Sequence, residues 1–338
     1  MKKVAVVMAG GSGERFWPVS TVLEPKQLLR LTPSGKTLLE EAIERVAPVT
    51  GEDNVFVSTS RHLQPKLVES GIVPSERVLA EPVKRNTLGA VLWSAAQIER
   101  QMGDQVALAI TTADHLISPQ ASFCEDVEKA LDTAIATGSI TIIGIPPTRP
   151  EIGYGYLETG QGSSVISFKE KPDSETAEKY LRAGNYLWNS GMFIMTLTGL
   201  RETLHSVDPD LYVIYKLMVE GQDAFADLPS IAFDRAVLEK ASDIKFVKGT
   251  FQWDDIGSWD SLLRTFPDEA NSVVGRLTQI DSSGNVVYST SSDVRVNLLG
   301  VRGLGVIVSN GEVVVIDLSR SQEVRDLATL AAEDQQNH

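Results

Sequence analysis

Cysteine, histidine and long apolar runs are scarce in this sequence. Its 338 residues include one cysteine and four histidines, so neither a disulfide framework nor a zinc site built on thiolates can form. The apolar run at residues 4–9 is too short for the core of a signal peptide, and no run is long enough to span a bilayer. We therefore expect a cytoplasmic protein without a membrane-spanning segment.

Basic residues are also fewer than acidic residues. The chain has 31 Lys and Arg against 45 Asp and Glu, which gives a formal net charge of −14. Nucleic acids and anionic membranes bind through patches of Lys and Arg, and an acidic surface repels both. We expect neither as a partner. A small phosphate-bearing ligand remains compatible with this charge, because its pocket needs only a few local cations.

Apolar runs alternate with helical patterns over the first 150 residues. Runs that predict buried strands lie at residues 4–9, 55–57, 77–80, 106–110 and 140–145. Helical spacing of apolar residues predicts helices at 38–46, with Thr37 as N-cap, and at 87–102 and 123–136. This alternation predicts an α/β fold with a doubly wound sheet, and the fold class that we expect is a Rossmann-like, doubly wound mixed sheet. Ligands of such sheets bind beyond the C-terminal strand ends, so the loops after Ala9, Ala80 and Ile110 should converge on one site.

The pattern changes twice in the rest of the chain. Residues 154–171 predict two strands joined by a turn at 160–163, an antiparallel excursion expected to cover the site. From residue 271, short strands alternate with turn residues until a closing helix at 321–332. We therefore predict a catalytic domain at 1–270 and a small β-rich, solenoid-like domain at 271–338 that ends in a helix.

A glycine-rich loop follows the first predicted strand. Its glycines allow a sharp turn, and its N–H groups can form an anion-binding concavity. A dinucleotide-binding GxGxxG pattern would need a glycine where Phe16 stands, which argues against a nicotinamide-dependent dehydrogenase, and no P-loop is present. Arg15 and Lys26 add cations that suit phosphate oxygens. The plainer alternative is a tight turn beside two surface cations.

The segments around this loop follow a known order. GGSGERFWPVS at 10–20, followed by PKQ at 25–27, resembles the N-terminal signature of the nucleotide-sugar pyrophosphorylases, and FWPVS is similar to the mannose-1-phosphate guanylyltransferases among them. Further matches are AEP at 80–82, RNT at 85–87, ADH at 113–115, GYGY at 153–156, EKP at 170–172, WNSG at 188–191 and WDDIGSW at 253–259. The chain departs from the family pattern at 88–89, at 111–112 and at Asp254.

The resemblance implies an activity and a set of site residues. It implies transfer of GMP from GTP to mannose 1-phosphate, with Mg²⁺ as cofactor and Mn²⁺ as an alternative. The implied nucleotide-binding residues are Ala9, Gly10, Gly11, Ser12, Gly13, Glu81, Asn86 and Thr87. The implied sugar-phosphate-binding residues are Gly155, Tyr156, Glu170, Lys171 and Asn189, and the metal ligands are Asp114 and Asp255. Arg15, Lys26 and Lys171 would be the catalytic cations.

The residue types agree with these roles. Mg²⁺ prefers oxygen ligands such as two aspartates at strand ends, although a turn or helix cap is the plainer reading of each aspartate. Glu81 can accept from both donors of the guanine edge, and Asn86 can donate to O6; alternatively, they are a turn residue and a helix N-cap. Gly155 would let the backbone approach a hexose.

Other functions remain open at this stage. The same chemistry with another sugar phosphate or nucleotide is one alternative, and a non-catalytic, nucleotide-sugar-binding regulatory subunit is another. The complete set of cations and aspartates argues against the second. A homodimer formed through the apolar segment 313–316 is expected, with packing against the catalytic domain as the alternative role of that segment. Longer relatives carry an additional isomerase domain, for which 338 residues leave no room, so we expect transferase activity alone.

Overall fold

The computed structural model describes residues 1–11, 13–21, 24–32, 34–169, 171–265 and 270–336. The strands are β1 (Lys2–Met8), β2 (Val55–Ser60), β3 (Val78–Glu81), β4 (Val106–Thr112), β5 (Leu116–Ser118), β6 (Ile140–Ile145), β7 (Tyr156–Thr159), β8 (Val165–Lys169), β9 (Tyr186–Thr196), β10 (Ile244–Lys248), β11 (Gln252–Asp254), β12 (Ser272–Val274), β13 (Arg276–Ile280), β14 (Val286–Ser289), β15 (Arg295–Leu299), β16 (Leu304–Ser309) and β17 (Glu312–Asp317). The α-helices are α1 (Leu38–Thr50), α2 (Gln64–Ser70), α3 (Asn86–Met102), α4 (Gln120–Thr137), α5 (Ser174–Ala183), α6 (Leu197–Val207), α7 (Pro209–Val219), α8 (Ser261–Thr265) and α9 (Val324–Gln336).

The chain divides into two compact units, each made of several segments. The first unit contains residues 1–10, 42–112 and 117–252. The second unit contains residues 11–41, 113–116 and 253–338. The glycine-rich loop from Gly11 and the WDDIGSW segment therefore belong to the same unit as the C-terminal tail. The predicted boundary near residue 270 stays a prediction, since residues 266–269 are outside the described ranges.

The first unit is built on a mixed sheet. Its main strand order is β10-β6-β9-β4-β1-β2-β3, with β7 pairing both β9 and β8. β1 runs parallel to β2 and β4, whereas β9 runs antiparallel to β4 and β6. Residues 4–7 of β1 are fully buried, because a central strand covered on both faces favours a continuous apolar run. The α/β mixed sheet predicted from the sequence is confirmed.

The helix α3 shows how local sequence produces this packing. Leu88, Val91, Leu92, Ala95 and Ile98 recur at helical spacing, and each is fully buried in the core of the first unit. The helix begins at Asn86 and ends before Gly103, whose φ of +80° is a conformation that favours glycine. Burial of this apolar stripe thus holds α3 against the core of the first unit. The first residue of the helix, Asn86, is a predicted base-binding residue.

The second unit combines the signature loops with the β-rich tail. β12, β14 and β16 pair in parallel, β13 pairs in parallel with β15, and β17 closes the larger sheet antiparallel to β16. Successive parallel strands joined by short turns form the predicted solenoid-like tail, followed by α9. One buried cluster joins tail and loop side chains: Phe16, Val19, Leu29, Leu31, Leu38, Ile256, Trp259, Leu262, Val286, Tyr288, Ile307, Val314, Leu318 and Val324.

The helix α1 starts with the predicted cap. The N–H of Glu40 donates to Thr37 Oγ1 (3.1 Å), and the N–H of Thr37 donates to Glu40 Oε2 (2.7 Å). This reciprocal pair satisfies two N–H groups that a helix start leaves unbonded. Within the described ranges, every helix is too short or too polar to cross a lipid bilayer.

Candidate active site

The glycine-rich loop approaches Lys26 so closely that a side chain would not fit. Gly13 has a φ of +66°, and a Cβ at this position would lie 2.5 Å from the Cβ of Lys26. The Gly13 carbonyl accepts from the N–H of Phe16 (2.9 Å), closing a 3₁₀ turn at Glu14–Phe16. This turn presents Arg15, which is exposed. Ser12, a predicted nucleotide-binding residue, lies outside the described residues.

Lys26 links the two predicted metal ligands. Its side chain is 8% exposed, and its Nζ lies 2.9 Å from Asp114 Oδ2. The same ammonium donates to the backbone carbonyl of Asp255 (2.6 Å). It also lies 5.8 Å from the centre of the Phe16 ring, within cation–π range. The structure therefore brings Lys26, Asp114 and Asp255, which are far apart in sequence, into direct contact.

Asp114 is held in its ionised form. Burial alone would raise the pKa of this carboxyl, but the charge of Lys26 and its hydrogen bond to the carboxylate help to lower the pKa below its usual value. Nε2 of His115 lies 3.9 Å from Asp114 Oδ1, and Nδ1 accepts from the indole N–H of Trp253 (3.1 Å). That bond leaves the proton of the neutral imidazole on Nε2, which faces Asp114.

Asp254 shapes the loop that presents Asp255. Asp254 Oδ1 accepts from the N–H of Ile256 (2.9 Å), and Oδ2 lies 2.5 Å from Nε of Arg264. Ile256 has a φ of +42°, an unusual conformation for a β-branched residue. Both interactions hold the strained turn in place. Asp254, at which the chain departs from the family pattern, therefore has a structural role. The next residue, Asp255, lines the pocket.

A pocket in the second unit is lined by residues that are predicted to bind phosphate or metal. Its lining includes Gly11, Gly13, Arg15, Lys26, Asp114 and Asp255. It also includes residues that the sequence reasoning did not single out: Glu14, Phe16, Gln27, Gly257 and Arg325. Among the residues that the structure describes, Arg15 forms no ion pair, so its guanidinium is available to an anion. The pocket thus combines two loop glycines, the exposed guanidinium of Arg15 and two aspartates.

Asp114 and Asp255 are the residues here that could hold a metal ion. Within the described part of the chain, no three or more His, Cys, Asp or Glu side chains group closely enough to form a metal site on their own. A site with two carboxylates would rely on other oxygen donors. Such a donor set is typical of Mg²⁺ that is bound together with substrate phosphates.

Glu81, in the first unit, is buried beside the first turn of α3. It is 9% exposed, and burial raises its pKa to about 7. A Cβ on Gly89 would lie 3.3 Å from Glu81 Oε2 and 2.5 Å from the Cβ of Arg85. A side chain at position 89 would therefore meet Arg85, which gives the glycine at this position a packing reason.

Asn86 begins α3 with a left-handed backbone. Its φ is +58°, and its Oδ1 accepts from the N–H of Thr87 (2.8 Å). Thr87 Oγ1 in turn accepts from the N–H of Phe233 (2.9 Å). Because the side-chain carbonyl of Asn86 faces its own backbone, the NH₂ group is the part left for a ligand, as recognition of a guanine O6 would require.

Three predicted sugar-binding residues are neighbours in the first unit. The N–H of Asn189 donates to the Gly155 carbonyl (2.8 Å), and its side-chain amide donates to Asp234 Oδ1 (2.7 Å). Tyr156 is fully buried, and its hydroxyl bonds to the backbone of Glu151. No sequence motif marks Asp234, which orients the Asn189 amide.

The two remaining residues of the predicted sugar-phosphate site stand next to each other in the chain. Lys171 is exposed, with a φ of +26°. Glu170 lies outside the described residues.

The sequence and the fold match known proteins along nearly the whole chain. The nucleotidyl transferase family matches residues 4–272. The xanthan biosynthesis protein XanB of Xanthomonas campestris pv. campestris (strain B100) is 33% identical, and the match covers 96% of this chain and 72% of XanB. The mannose-1-phosphate guanylyltransferase of Salmonella montevideo is 31% identical over 95% of this chain and 72% of that protein.

A solved structure agrees with the fold of the whole chain. A crystal structure described as a mannose-1-phosphate geranyltransferase from Thermus thermophilus is 34% identical, with a TM-score of 0.91. The match covers 98% of this chain and 100% of the other. The sequence relatives are longer than their matched regions, whereas this structural relative is matched from end to end.

Proposed function

Because the chain belongs to the nucleotidyl transferase family, we propose that it transfers GMP from GTP to mannose 1-phosphate, giving GDP-mannose and pyrophosphate. The observation that carries the proposal is the pocket in which the glycine-rich loop, Arg15 and Lys26 meet Asp114 and Asp255. Phosphate oxygens and a divalent cation are the ligands that this combination suits. Relatives named mannose-1-phosphate guanylyltransferase support the choice of substrates.

Different residues would recognise the triphosphate and the base of the nucleotide. The glycine-rich loop at 10–13 and Arg15 would receive the triphosphate, since main-chain N–H groups and an exposed guanidinium suit phosphate oxygens. Glu81 would accept from N1–H and N2–H₂ of guanine, while the Asn86 amide would donate to O6. Adenine and thymine do not offer this pattern of two donors beside an acceptor, which supports GTP as the nucleotide.

The sugar phosphate would be held by the segments around Gly155 and Asn189. The Asn189 side chain, fixed by Asp234, would bond a sugar hydroxyl, and the exposed Lys171 would neutralise the sugar phosphate. Glu170 is proposed to bond a neighbouring hydroxyl. Lys171 matters because two anionic substrates must approach each other, and a fixed cation between them lowers the electrostatic cost of that approach.

The reaction is an in-line displacement at the α-phosphorus. An oxygen of mannose 1-phosphate forms the new P–O bond, and the bond from the α-phosphorus to the β-bridging oxygen breaks, so the electron pair leaves with pyrophosphate. The attacking oxygen is already anionic near neutral pH, so the chain need not supply a strong base. Arg15 and Lys26 would hold the leaving phosphates, and the chain's main contributions are alignment and charge neutralisation.

The carboxylates of Asp114 and Asp255 fit a divalent cation, with Mg²⁺ proposed and Mn²⁺ as the alternative. They are hard oxygen donors on one pocket, and Lys26 keeps Asp114 ionised while no metal is bound. Such a cation would supply positive charge to the reacting phosphate oxygens. Lys26 would then exchange its bond with Asp114 for a phosphate oxygen.

The first experiment is to incubate the purified protein with Mg²⁺, mannose 1-phosphate and each of GTP, ATP, UTP and dTTP, and to follow pyrophosphate release. Release with GTP alone is expected. Release with another nucleotide, or with another sugar phosphate in place of mannose 1-phosphate, would keep the chemistry and change the specificity. No release from a folded, monodisperse sample with any pair would favour a regulatory protein that binds nucleotide sugars.

Three further features belong to the same proposal. A catalytic domain at 1–270 with a β-rich tail at 271–338 is the proposed organisation, and the cytoplasm is the proposed location. A homodimer through β17 is supported by Val313 and Val315, which are 65% and 60% exposed on an edge strand of the tail. Light scattering of the wild type and of Val313→Lys would test the dimer, and a wild-type monomer would exclude it.

A further inference from the structure

The C-terminal helix contributes a cation to the phosphate pocket. Arg325, the second residue of α9, lines the same pocket as Arg15, Lys26 and Asp114. It lies more than 300 residues after Arg15 in the chain, and no motif of the glycine-rich signature includes it. Its side chain is 61% exposed and forms an ion pair with Asp326, which is exposed as well, with 3.6 Å between Nε and Oδ1. An exposed ion pair of this length is weak, so the guanidinium can turn to a phosphate ligand.

The segment before Arg325 is fastened to the loop that carries Asp255. Ser321 Oγ donates to Asp260 Oδ1 (2.6 Å), and the side-chain amide of Gln322 donates to Ser258 Oγ (2.9 Å). Both acceptors follow Asp255 by a few residues. These bonds fix the start of α9 relative to one proposed metal ligand.

A second attachment joins α9 to the turn that carries Arg15. Val324 is 2% exposed and belongs to the buried cluster of Phe16 and Trp259, whose rings lie 4.9 Å apart. Phe16 follows Arg15 directly, and Val324 precedes Arg325 directly. The cluster thus places two guanidinium groups at one pocket through adjacent, buried anchor residues.

The charges in this pocket indicate what Arg325 would bind. Lys26 is buried and bonds to Asp114 and to the Asp255 carbonyl, whereas the pocket's two arginines, Arg15 and Arg325, are exposed to solvent. A guanidinium presents several N–H donors in a plane and suits phosphate oxygens. A triphosphate or pyrophosphate carries more phosphate oxygens and more negative charge than a nucleoside monophosphate, so a pocket with two exposed arginines favours these longer phosphate chains.

We propose that Arg325 binds the β- and γ-phosphates of the nucleotide and the pyrophosphate product together with Arg15, which makes the C-terminal helix part of the active site. The inference rests on the proposed function for the identity of the nucleotide, but its phosphate chemistry is tested separately. A chain that lost α9 would then lose affinity for triphosphates as well as packing. The tail has a direct role in ligand binding under this proposal.

The test compares Arg325→Gln with Arg320→Gln by calorimetric titration with GTP, inorganic pyrophosphate and GMP in the presence of Mg²⁺. Arg320 is an exposed arginine of the same segment that pairs with Glu323 and does not line the pocket, so its variant controls for the general loss of one positive charge. Arg325→Gln is expected to weaken GTP and pyrophosphate binding about tenfold or more and to leave GMP binding unchanged. Arg325→Lys should retain part of the affinity.

Equal affinities of Arg325→Gln and the wild type for GTP and pyrophosphate would overturn the proposal, and so would an equal loss for GMP and GTP. A wild type that binds neither GTP nor pyrophosphate would also overturn it. Thermal melting checks that the exposed substitution leaves the fold intact. A wild type that binds GTP through Arg325 but releases no pyrophosphate with mannose 1-phosphate would keep this inference and remove the proposed function.

Discussion

The ammonium of Lys26 lies 2.9 Å from the Asp114 carboxylate and also donates to the carbonyl of Asp255. One buried cation therefore sets the position of both carboxylate-bearing loops before any ligand arrives. The close approach of Gly13 fixes the backbone of Lys26 from the other side. These three contacts make the geometry of the pocket depend on a single side chain.

Removing the charge of Lys26 should therefore damage catalysis more than folding. We expect Lys26→Met and Asp114→Asn each to lower kcat about 100-fold or more, and the double variant to lose much less than the product of the two, because the pair acts as a unit. Pyrophosphate release measures this. The loss in the free energy of unfolding should be about 1 kcal/mol, since Asp114 is partly exposed. Additive effects of the two substitutions would contradict the coupling.

Substitutions of the adjacent residues Asp254 and Asp255 should have different effects, one on stability and the other on activity. Asp255→Asn should abolish turnover with little change in melting temperature, because its carboxylate is proposed to be a metal ligand. Asp254→Asn should lower the free energy of unfolding by about 2 kcal/mol, since it breaks the pair with Arg264 and weakens the turn at Ile256. Melting curves and kcat are measured for both variants. The reverse pattern would exchange their roles.

Gly13 can be tested against a glycine of the same backbone conformation. Gly13→Ala should cost about 1–2 kcal/mol in stability because φ is positive, and it should also lower kcat because the new Cβ displaces Lys26. Gly35 has a φ of +71°, and a Cβ at this position would have no neighbouring atom within 4 Å, so Gly35→Ala should show the strain alone. Equal kcat values for both variants would show that contact with Lys26 is unimportant.

Local patterns were sufficient to predict several elements of the fold. The apolar run of β1, the cap of α1 at Thr37 and the stripe of α3 depend on neighbours in sequence, and the structure confirms all three. The alternation of strands and helices predicted the α/β class, but it carried no signal for β9, which runs antiparallel to β4 and β6. Such features are predictable because hydrogen bonding and burial act within a single strand or helix turn.

The arrangement of the site depends on contacts that the spacing of residues in the sequence does not predict. The role of Arg325 arises from the packing of Val324 beside Phe16, and that of Asp234 from its bond to Asn189. The family order placed Asp114 and Asp255 in one site, but the buried bridge through Lys26 had no sequence signal. These relationships join distant segments, and only tertiary packing determines them.

The burial of Glu81 predicts a pH dependence of nucleotide binding. With a pKa of about 7, the carboxyl is protonated below pH 7 and can no longer accept from both donors of guanine. We expect the Kd for GTP to rise as the pH falls from 8 to 6, up to about tenfold per pH unit below 7. Glu81→Gln should bind GTP more weakly at pH 8 and show a flatter profile. The protonation of GTP itself affects the wild type and Glu81→Gln equally. The difference between their pH profiles therefore measures the ionisation of Glu81.

The same pKa predicts how Glu81 affects stability without nucleotide. A carboxyl whose pKa is raised from 4.5 to about 7 holds its proton more tightly in the folded chain, so its stabilising effect is complete below pH 4.5 and is lost as the pH rises through 7. Glu81→Gln cannot ionise. Its free energy of unfolding should therefore increase relative to the wild type by about 3 kcal/mol between pH 4.5 and pH 8, measured by denaturant titration. A difference that stays constant over this range would mean that the pKa of Glu81 is the same in the folded and unfolded chain, and the pH dependence of GTP binding would then need another titrating group.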